Sequence, residues 1–357
     1  MSREIVRLSG LVDTHVHLRE PGATQKEDFE TGTKAAIVGG YTAVLDMPNN
    51  PKPEETVTPQ SLQKKISLAS NRIYCDVGFH FGGIGESSQY FEKVRNEVFG
   101  LKVYMNHTTG TLLVEDPQDL QTVFSRWPRG KVIMVHAEGE TLQTALDLAK
   151  RNRQRLHVCH VSQKQEIEMI RDAKEKRLPV TCEISAHHLF LTENDVPALG
   201  SFGIMRPPLA TENDRQALWD NLDVVDIIAS DHAPHSREEK ASEKPPFGVP
   251  GLETTLPLLL TAVADGRLTL YRLSELISLK PRLIFGLRQN PETYTEIDLK
   301  ESYIIDSSKL KTKAGWTPFE GVRVTGRVIK VVLRGNVVYD GESITEDPKG
   351  RVIYPTA

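Results

Sequence analysis

The chain has 357 residues, of which 39% are hydrophobic and 26% are charged, and this length allows one large α/β domain or two domains. Its formal net charge of −4 gives no support for nucleic-acid binding, which usually requires a basic surface. Three cysteines are too few for a disulfide framework, and the sequence contains neither a signal peptide nor an apolar run long enough to cross a bilayer. We therefore expect a cytoplasmic protein.

Strands alternate with helices along the first two thirds of the chain. The predicted strands span residues 11–17, 41–47, 75–81, 101–105, 132–136, 156–161, 180–185 and 224–230. The predicted helices span residues 26–38, 57–69, 87–98, 116–127, 138–151 and 164–176, and a less regular helical region follows up to residue 221. Eight strands joined by helical connections imply a parallel sheet, and eight is the number that closes a (β/α)₈ TIM barrel. An open doubly wound sheet is the alternative, although its first strand would usually end in a glycine-rich turn.

In the last quarter of the chain the predicted elements change from helices to β-strands. Residues 256–264 and 272–278 still predict helices, whereas residues 325–332 and 336–339 alternate in the manner of β-strands. The sequence thus predicts two units, a barrel over residues 11–290 and a small β appendage formed by residues 1–10 and 296–357, mainly by the C-terminal tail.

The histidines are concentrated at strand ends, where barrel enzymes build their active sites. Seven of the 11 histidines lie at or just past the carboxyl end of a predicted strand: His15, His17, His136, His160, His187, His188 and His235. Scattered histidines would not show this concentration, so the pattern predicts a site on this rim of the barrel.

His15 and His17 lie two residues apart in the first strand, so their imidazoles point to the same side. Such a pair can bind a divalent metal, although a solvated histidine-rich strand is the ordinary alternative for an isolated His-x-His. His136, His160 and Asp231 follow at the ends of the fifth, sixth and eighth strands. Four imidazoles and a carboxylate are ligands suited to two zinc ions.

Lys102, in the fourth strand, is the candidate for a bridging ligand. Two zinc ions carry four positive charges, and one aspartate balances little of that charge. An ammonium would be repelled, but a lysine that has reacted with CO₂ becomes a carbamate with two anionic oxygens. The alternative is that Lys102 pairs with an acid on the barrel rim.

Several motifs resemble those of dihydroorotases in the amidohydrolase superfamily. They are His-Val-His-Leu-Arg-Glu-Pro-Gly at residues 15–22, Ala-Ser-Asp-His-Ala-Pro-His at residues 229–235 and Pro-Gly-Leu-Glu-Thr at residues 250–254. Residues 26–29, 100–104 and 316–321 are most similar to the dihydroorotase domain of the animal multifunctional pyrimidine-synthesis proteins. The resemblance runs nearly end to end. It implies a barrel of the amidohydrolase type that interconverts N-carbamoyl-L-aspartate and L-dihydroorotate on a zinc pair, in de novo pyrimidine biosynthesis.

The resemblance also implies a role for individual residues at the metal site. One zinc ion would be bound by His15, His17, Lys102 and Asp231, and the other by Lys102, His136 and His160. Carboxylated Lys102 and a hydroxide would bridge the two ions. The hydroxide would act as the nucleophile, and Asp231 would be the general acid and base.

The substrate-binding residues follow from the same resemblance. Arg19, Asn49 and His235 would hold the substrate carboxylate, and Arg206 would be a further substrate contact. The backbone around Phe247 and Gly248 would touch the pyrimidine ring, and Thr108 and Thr109 lie where the family has a flexible loop that closes over the substrate. The animal domains carry threonine and then phenylalanine at the last two positions, so the dynamics of this loop are left open.

A third metal site is implied at Cys159 and Glu183, which match ligands of a third ion in the animal domain. Cys159 adjoins the expected ligand His160, and neighbours in a strand face opposite sides. Only a local bend would bring both side chains to one site. The alternative is that Cys159 is a buried structural thiol.

Two rival functions and the assembly remain open at this stage. Another cyclic amidohydrolase, such as an allantoinase or a hydantoinase, would share the metal site, and a metal-free dihydroorotase-like scaffold would share the fold. The short start of the chain suggests either a domain excised from a multifunctional protein or a naturally short enzyme. The resemblance suggests a homodimer, with carbamoyl-phosphate synthetase and aspartate transcarbamoylase domains as partners if the domain is excised.

Overall fold

The computed structural model describes residues 3–356. Its strands are β1 (Ile5–Ser9), β2 (Leu11–Val16), β3 (Tyr41–Asp46), β4 (Asp76–Phe79), β5 (Phe81–Gly82), β6 (Gly100–Tyr104), β7 (Val132–His136), β8 (Arg155–Val158), β9 (Val180–Ser185), β10 (Ile227–Ala229), β11 (Tyr294–Ile304), β12 (Arg323–Leu333) and β13 (Asn336–Tyr339).

The helices pack between and around these strands. They are α1 (Phe29–Val38), α2 (Pro59–Ala69), α3 (Phe91–Val94), α4 (Pro117–Arg126), α5 (Glu140–Asn152), α6 (Lys164–Glu175), α7 (Ala186–Phe190), α8 (Val196–Leu199), α9 (Glu212–Asp220), α10 (Arg237–Lys240), α11 (Leu252–Ala264), α12 (Leu270–Ser274) and α13 (Lys280–Phe285). Short 3₁₀ helices span Glu86–Tyr90, Glu193–Asp195, Gly200–Gly203 and Ser307–Lys309, and Glu275–Leu279 is a π-helix. None of the described helices is both long and apolar enough to cross a membrane.

The strands β2 to β10 form the predicted TIM barrel. β2, β3 and β4 pair in parallel, and β5 to β10 pair in parallel in chain order. His80 alone separates β4 from β5, so the two pieces occupy one strand position and the barrel has eight positions. A parallel bridge between Val16 and His232 brings the chain after β10 beside the end of β2. The prediction of an eight-strand barrel is confirmed, and the predicted third strand is divided in two.

Burial explains why these strands lie in the barrel wall. Every residue of β2, β3, β6 and β7 is buried. Parallel strands covered on both faces read as largely apolar runs, and these strands follow that pattern except at buried polar residues such as Asp13, Thr14 and Lys102. Further polar side chains, including His136, lie at the carboxyl ends of the strands, where the barrel opens.

Capping residues set where the first helices begin. The sequence pattern predicted a helix from residue 26, but α1 begins at Phe29 because the Asp28 side chain caps it and accepts a hydrogen bond from Thr31 N at 2.8 Å. The helix predicted over residues 87–98 was too long, since the chain forms a 3₁₀ turn and then the single helical turn of α3.

The remaining strands form a four-stranded antiparallel sheet in the order β1, β11, β12, β13. The sheet packs on α11 of the barrel, where Gly326, with a φ of 100°, approaches Leu260 so closely that a Cβ would lie 2.6 Å from Leu260 Cβ. The sequence analysis anticipated β12 and β13 and missed β11, whose 11 residues include several charged side chains. The division of the chain at residues 10, 290 and 296 stays a prediction.

Candidate active site

Side chains at the carboxyl ends of the barrel strands surround one cavity. Its wall is formed by His15, His17, Arg19, Asn49, Tyr104, Thr108, Thr109, His136, His160, Arg206, Asp231, Ala233, Phe247 and Gly248. The cavity is partly open to solvent, and its space of about 20 Å³ leaves room for little more than one water molecule. A ligand as large as a small ring therefore requires the covering loops to move.

His15, His17 and Asp231 form a group that could hold a metal ion, since one ligand atom of each lies within 4.8 Å of the others. Asp231 Oδ1 lies 3.4 Å from His15 Nε2 and 3.5 Å from His17 Nε2. The opposite ring nitrogens are already occupied. His15 Nδ1 contacts a carboxylate oxygen of Glu183, and His17 Nδ1 lies 2.8 Å from Asn49 Oδ1. Both Nε2 atoms thus point towards one position, and the partners behind them fix the ring orientations as in metal sites.

His136 and His160 form an adjoining pair. Their ring centres are 4.6 Å apart, and His136 Nδ1 lies 3.0 Å from His160 Nε2. The other nitrogen of His136 lies 3.1 Å from Glu138 Oε1. The His160 ring centre is 5.2 Å from that of His15, so the pair is continuous with the first group. Four imidazoles from three strand ends therefore converge on one region.

Lys102 lies in the middle of β6, and its side chain is fully buried. Within residues 3–356, Lys102 Nζ has no hydrogen-bond partner, although an ammonium carries three donors. His160 Nδ1 is also buried without a partner in this part of the chain. Because burying an unpaired charge is costly, these two atoms fit a site in which Lys102 is no longer an ammonium and further ligands are bound.

Burial lowers the pKa of each of the four converging imidazoles, which belong to His15, His17, His136 and His160. For His15 the pKa falls to about 4, with burial as the largest cause and the charge of Lys102 as the next. The rings are consequently neutral at pH 7, and neutral imidazole is the form that binds metals.

A second group that could hold an ion consists of His15, Cys159 and Glu183, whose ligand atoms lie within 4.8 Å of one another. Glu183 Oε2 also lies 3.1 Å from His157 Nε2. Burial opposes the ionisation of Glu183, but His15 and His157 outweigh burial and hold the pKa of this carboxyl well below its usual range. Glu183 is therefore an anion behind the first metal-binding group.

Three residues of the rim have unusual backbone conformations. The φ angles of Arg19, His160 and Asp231 are 64°, 35° and 46°, in a region that residues other than glycine rarely adopt. Such conformations persist only where the surroundings fix them, and they are common at active sites. At His160 the left-handed backbone interrupts the alternation of side chains along the strand, and the third metal at Cys159 and Glu183 stays a prediction.

Arg19 and His235 lie side by side next to the metal-binding groups. Arg19 Nε donates to Pro234 O at 3.0 Å, and Arg19 Nη2 lies 3.1 Å from His235 Nε2. Lys26 Nζ lies 3.1 Å from His235 Nδ1, and because lysine only donates, a neutral ring carries its proton on Nε2, so the contact of Nε2 with Arg19 Nη2 is a close approach and not a hydrogen bond. His235 Nε2 then donates to Phe247 O at 2.9 Å. A guanidinium beside an imidazole N–H is an arrangement suited to a carboxylate.

The loop after β6 covers the cavity with Thr108 and Thr109. Asn49 Nδ2 donates to Thr109 O at 2.9 Å, and Thr109 Oγ1 donates to Phe247 O at 3.0 Å. The Arg206 guanidinium lies over the Phe247 ring, with Cζ 4.8 Å from the ring centre. The loop thus bridges two sides of the cavity in a closed position.

The residues proposed from sequence therefore converge on one region. Most of them line the cavity, and Lys102, Cys159, Glu183 and His235 contact lining residues or lie beside them. Their functional roles stay predictions.

Comparison with known proteins identifies the family. Residues 4–81 match the family described as dihydro-orotase-like. The chain is 46% identical to the multifunctional protein CAD of Squalus acanthias, over 98% of this chain, but it spans only 16% of the length of that relative. It is 36% identical to a dihydroorotase of Pyrococcus abyssi, and the match covers 97% of this chain and 86% of the relative. The chain belongs to the dihydroorotase family.

Solved structures place the dihydroorotase-family chain among related amidohydrolases. L-hydantoinase from Arthrobacter aurescens superposes with a TM-score of 0.91 at 26% identity, covering 99% of this chain and 89% of that structure. The inactive dihydroorotase-like domain of a CAD-like multifunctional protein from Chaetomium thermophilum superposes with a TM-score of 0.84 at 26% identity, covering 98% and 99%. Similar folds thus include both a hydantoinase and an inactive dihydroorotase-like domain.

Sequence reasoning missed two residues of the dihydroorotase-family site. Tyr104 lines the cavity, and its buried hydroxyl has no partner among the described residues. Glu138 contacts the ring of His136. Each lies two residues beyond a predicted ligand, Tyr104 after Lys102 and Glu138 after His136. The two-residue repeat of a strand was therefore the signal that could have indicated both.

Proposed function

We propose that this chain is a dihydroorotase, which reversibly cyclises N-carbamoyl-L-aspartate to L-dihydroorotate in de novo pyrimidine biosynthesis. The observation that carries the proposal is the position of Arg19 and His235 beside the group formed by His15, His17 and Asp231. A carboxylate-binding pair next to a metal-binding group suits a substrate whose reacting ring amide lies close to a free carboxylate.

The residues present fit two zinc ions. One ion would be held by His15, His17, Lys102 and Asp231, and the other by Lys102, His136 and His160, with Lys102 carboxylated so that its two oxygens bridge the ions. When bound, the ions would polarise the ring carbonyl and lower the pKa of a water molecule. The lack of a partner for Lys102 Nζ and for His160 Nδ1 among the described residues supports this assignment.

Asp231 would move the proton. Its Oδ1 faces His15 and His17, which leaves Oδ2 as the atom available to the substrate. In ring opening Asp231 would accept a proton from the attacking water and give it to the departing ring nitrogen, and in ring closure it would act in reverse. Burial raises the pKa of Asp231, which favours a carboxyl able to hold that proton.

Arg19, Asn49 and His235 would bind the substrate carboxylate. The guanidinium of Arg19 presents paired donors that match the geometry of a carboxylate. His235 is neutral, because burial and then the charge of Arg19 hold its pKa well below the usual range. Its one N–H donates to Phe247 O in this structure, and it would serve the carboxylate as a donor without added charge when substrate replaces that contact. Arg206 and the Phe247–Gly248 backbone, which also line the cavity, would contact the ring.

Thr108 and Thr109 would act by closing the loop over the substrate. In the closed position, Thr109 is held by Asn49 and by Phe247 O. The small remaining space implies that both bonds break when substrate enters. Closure then excludes water from the reaction.

We extend the proposal to a third ion at Cys159 and Glu183, supported by the distances among their ligand atoms and His15. The measurement is the zinc content of Cys159→Ser by elemental analysis, compared with the unchanged chain. A loss of about one ion per chain is expected, since serine is a poor zinc ligand. An unchanged zinc content would contradict the third site.

The assembly is also a proposal. Two relatives, at 46% and 45% identity, are multifunctional proteins, so carbamoyl-phosphate synthetase and aspartate transcarbamoylase domains are the expected partners if this chain is part of such a protein. A homodimer is expected for the chain itself. Light scattering coupled to size-exclusion chromatography gives the mass, and a monomer at micromolar concentration would contradict the dimer.

Two alternatives have specific support. The likeness to a hydantoinase favours another cyclic amidohydrolase, and the likeness to an inactive domain favours a metal-free scaffold. Against the first, a hydantoin or allantoin ring has less use for Arg19, Asn49 and His235 together. Against the second, each ligand position of the proposed zinc pair is filled by a residue suited to metal binding.

A direct assay tests the proposal. The purified chain, with zinc and bicarbonate supplied, is given dihydroorotate, carbamoyl aspartate, hydantoin and allantoin in turn. We expect turnover of the first two only, and preferential turnover of hydantoin or allantoin would contradict the assignment. Ring closure removes one carboxylate and takes up one proton. The equilibrium should therefore shift towards dihydroorotate by about tenfold for each unit by which the pH falls. That shift verifies that the measured reaction is the proposed one.

A further inference from the structure

Lys240, the last residue of α10, is completely buried, and its ammonium is bonded to three backbone carbonyls. Nζ donates to Ile204 O at 2.8 Å, to Pro246 O at 3.0 Å and to Gly248 O at 3.2 Å. An ammonium has three donors and no acceptor, so its hydrogen-bonding capacity is matched to these three carbonyls.

The three carbonyls belong to two segments that form the wall of the cavity. Ile204 lies two residues before Arg206, and Pro246 and Gly248 flank Phe247. Arg206, Phe247 and Gly248 all line the cavity. The two segments are also joined directly, since Gly248 N donates to Ile204 O at 3.2 Å. Lys240 therefore connects the two strips of backbone that carry this side of the site.

Phe247 O accepts hydrogen bonds from two other parts of the site. It accepts one hydrogen bond from His235 Nε2 at 2.9 Å and another from Thr109 Oγ1 of the covering loop at 3.0 Å. The carbonyls immediately before and after it are the two that Lys240 holds. A shift of this segment would displace the carboxylate-binding histidine and the docking point of the covering loop together.

We propose that Lys240 is a positioning residue for substrate binding, whose ammonium keeps the 204–206 and 246–248 segments in register with His235 and with the closed loop. The proposal rests on the proposed function for its substrate, but the contacts that carry it belong to the chain alone.

The surroundings of Lys240 suit a protonated lysine. No carboxylate forms an ion pair with Lys240 within residues 3–356, so its charge is balanced only by carbonyl dipoles. The Trp316 ring, 5.6 Å from Nζ, adds a favourable cation–π contact. Burial lowers the pKa of Lys240 to about 8. The group therefore stays protonated at pH 7 and keeps all three donors.

The test compares Lys240→Met with Lys244→Met. Lys244 lies four residues further along and is exposed, so it is a matched control for the loss of one lysine charge. Because a small misplacement of binding groups is costly, we expect the KM for dihydroorotate to rise by about tenfold or more in Lys240→Met, with a smaller change in kcat. Lys244→Met should keep the KM within about twofold. A folded Lys240→Met with an unchanged KM would overturn the proposal, and so would equal effects in the two variants.

A second measurement separates this proposal from the proposed activity. Amide hydrogen exchange reports directly on Gly248 N–H, and this amide should exchange faster in Lys240→Met than in the unchanged chain. If the unchanged chain does not turn over dihydroorotate, the proposed function fails, whereas the exchange result still decides the role of Lys240. Unchanged exchange of this amide would overturn that role.

Lys240→Gln covers the case in which the methionine variant does not fold. Its amide retains two donors on a shorter chain and cannot reach three carbonyls, so the KM and the exchange rate of the Gly248 amide should both exceed those of the unchanged chain. A glutamine variant that matches the unchanged chain in both would overturn the proposal.

Discussion

Two buried lysines in the barrel differ in what surrounds their ammonium groups. Lys65, on α2, forms an ion pair of 2.7 Å with Asp46 and donates to Met47 O at 2.7 Å and to Asn50 Oδ1 at 2.8 Å. Lys102, on β6, is equally buried, yet its Nζ has no hydrogen-bond partner among the described residues. The ammonium of Lys65 therefore has three partners, and the ammonium of Lys102 has none within residues 3–356. This difference distinguishes a structural lysine from a candidate metal ligand.

The comparison extends to the side chains around each lysine. Asp46 is paired with Lys65, and its other oxygen accepts Leu18 N at 2.8 Å, which ties β3 to the loop after β2. Around Lys102, by contrast, the imidazoles are kept neutral by burial and present lone pairs to a shared space. Buried polar groups are normally satisfied, so a cluster of unsatisfied ones indicates a binding site rather than a packing defect.

The largest expected effect is the loss of the bridging group in Lys102→Ala. Zinc content should fall below two ions per chain, and dihydroorotase activity should fall below detection, because no anionic bridge remains. Elemental analysis and the dihydroorotate assay measure the two effects. Acetate or propionate, which supplies two carboxylate oxygens to the vacated space, should restore part of the activity. A variant that retains both ions and full activity would show that Lys102 does not bridge.

Asp231→Asn should be almost as severe for activity but much milder for metal. An amide cannot carry the proton between water and the ring nitrogen, so we expect both directions of the reaction to fall by about 10²–10⁴-fold, the usual contribution of a general acid or base. Most of the metal should remain, since the imidazoles and Lys102 are unchanged. Near-normal turnover in either direction would contradict the role given to Asp231.

The two lysines should respond in opposite ways when stability is measured without metal. Lys65→Met leaves Asp46 buried and unpaired and should cost ~3–5 kcal/mol of unfolding free energy. Lys102→Met removes an unpaired buried ammonium and should leave the unfolding free energy unchanged or raise it. Urea unfolding after chelation measures both.

Lys64→Met is the control for the stability experiment, because Lys64 adjoins Lys65 but is half exposed and pairs with Glu54 at the surface. Its effect should be within about 1 kcal/mol. Equal losses in the Lys65 and Lys102 variants would mean that the two environments do not differ as their contacts indicate.

Sequence alone predicted the parts of the molecule that depend on local periodicity. The strand repeat placed His15 and His17 on one side, and the strand-end rule brought His136, His160 and Asp231 to the same rim. These inferences needed only the order of the elements along the chain.

Other features depend on contacts between distant residues and could not be read from the sequence. The break at His80 coincides with its ring nitrogen lying 3.1 Å from Thr14 O, across 66 residues. The tautomer of His235 depends on Lys26, 209 residues away. The left-handed backbone at His160 interrupts the strand alternation that would place Cys159 and His160 on opposite faces.

The smallest expected effect concerns the covering loop. Thr109→Ala removes the bond to Phe247 O but keeps the backbone bond from Asn49, so closure is weakened and not abolished. One neutral hydrogen bond contributes about 0.5–1.5 kcal/mol, and the KM for dihydroorotate should accordingly rise by about two- to tenfold. Thr109→Ser keeps the hydroxyl and should retain the unchanged KM. If Thr109→Ser raises the KM as much as Thr109→Ala, the contact with Phe247 O is not the one that holds the loop shut.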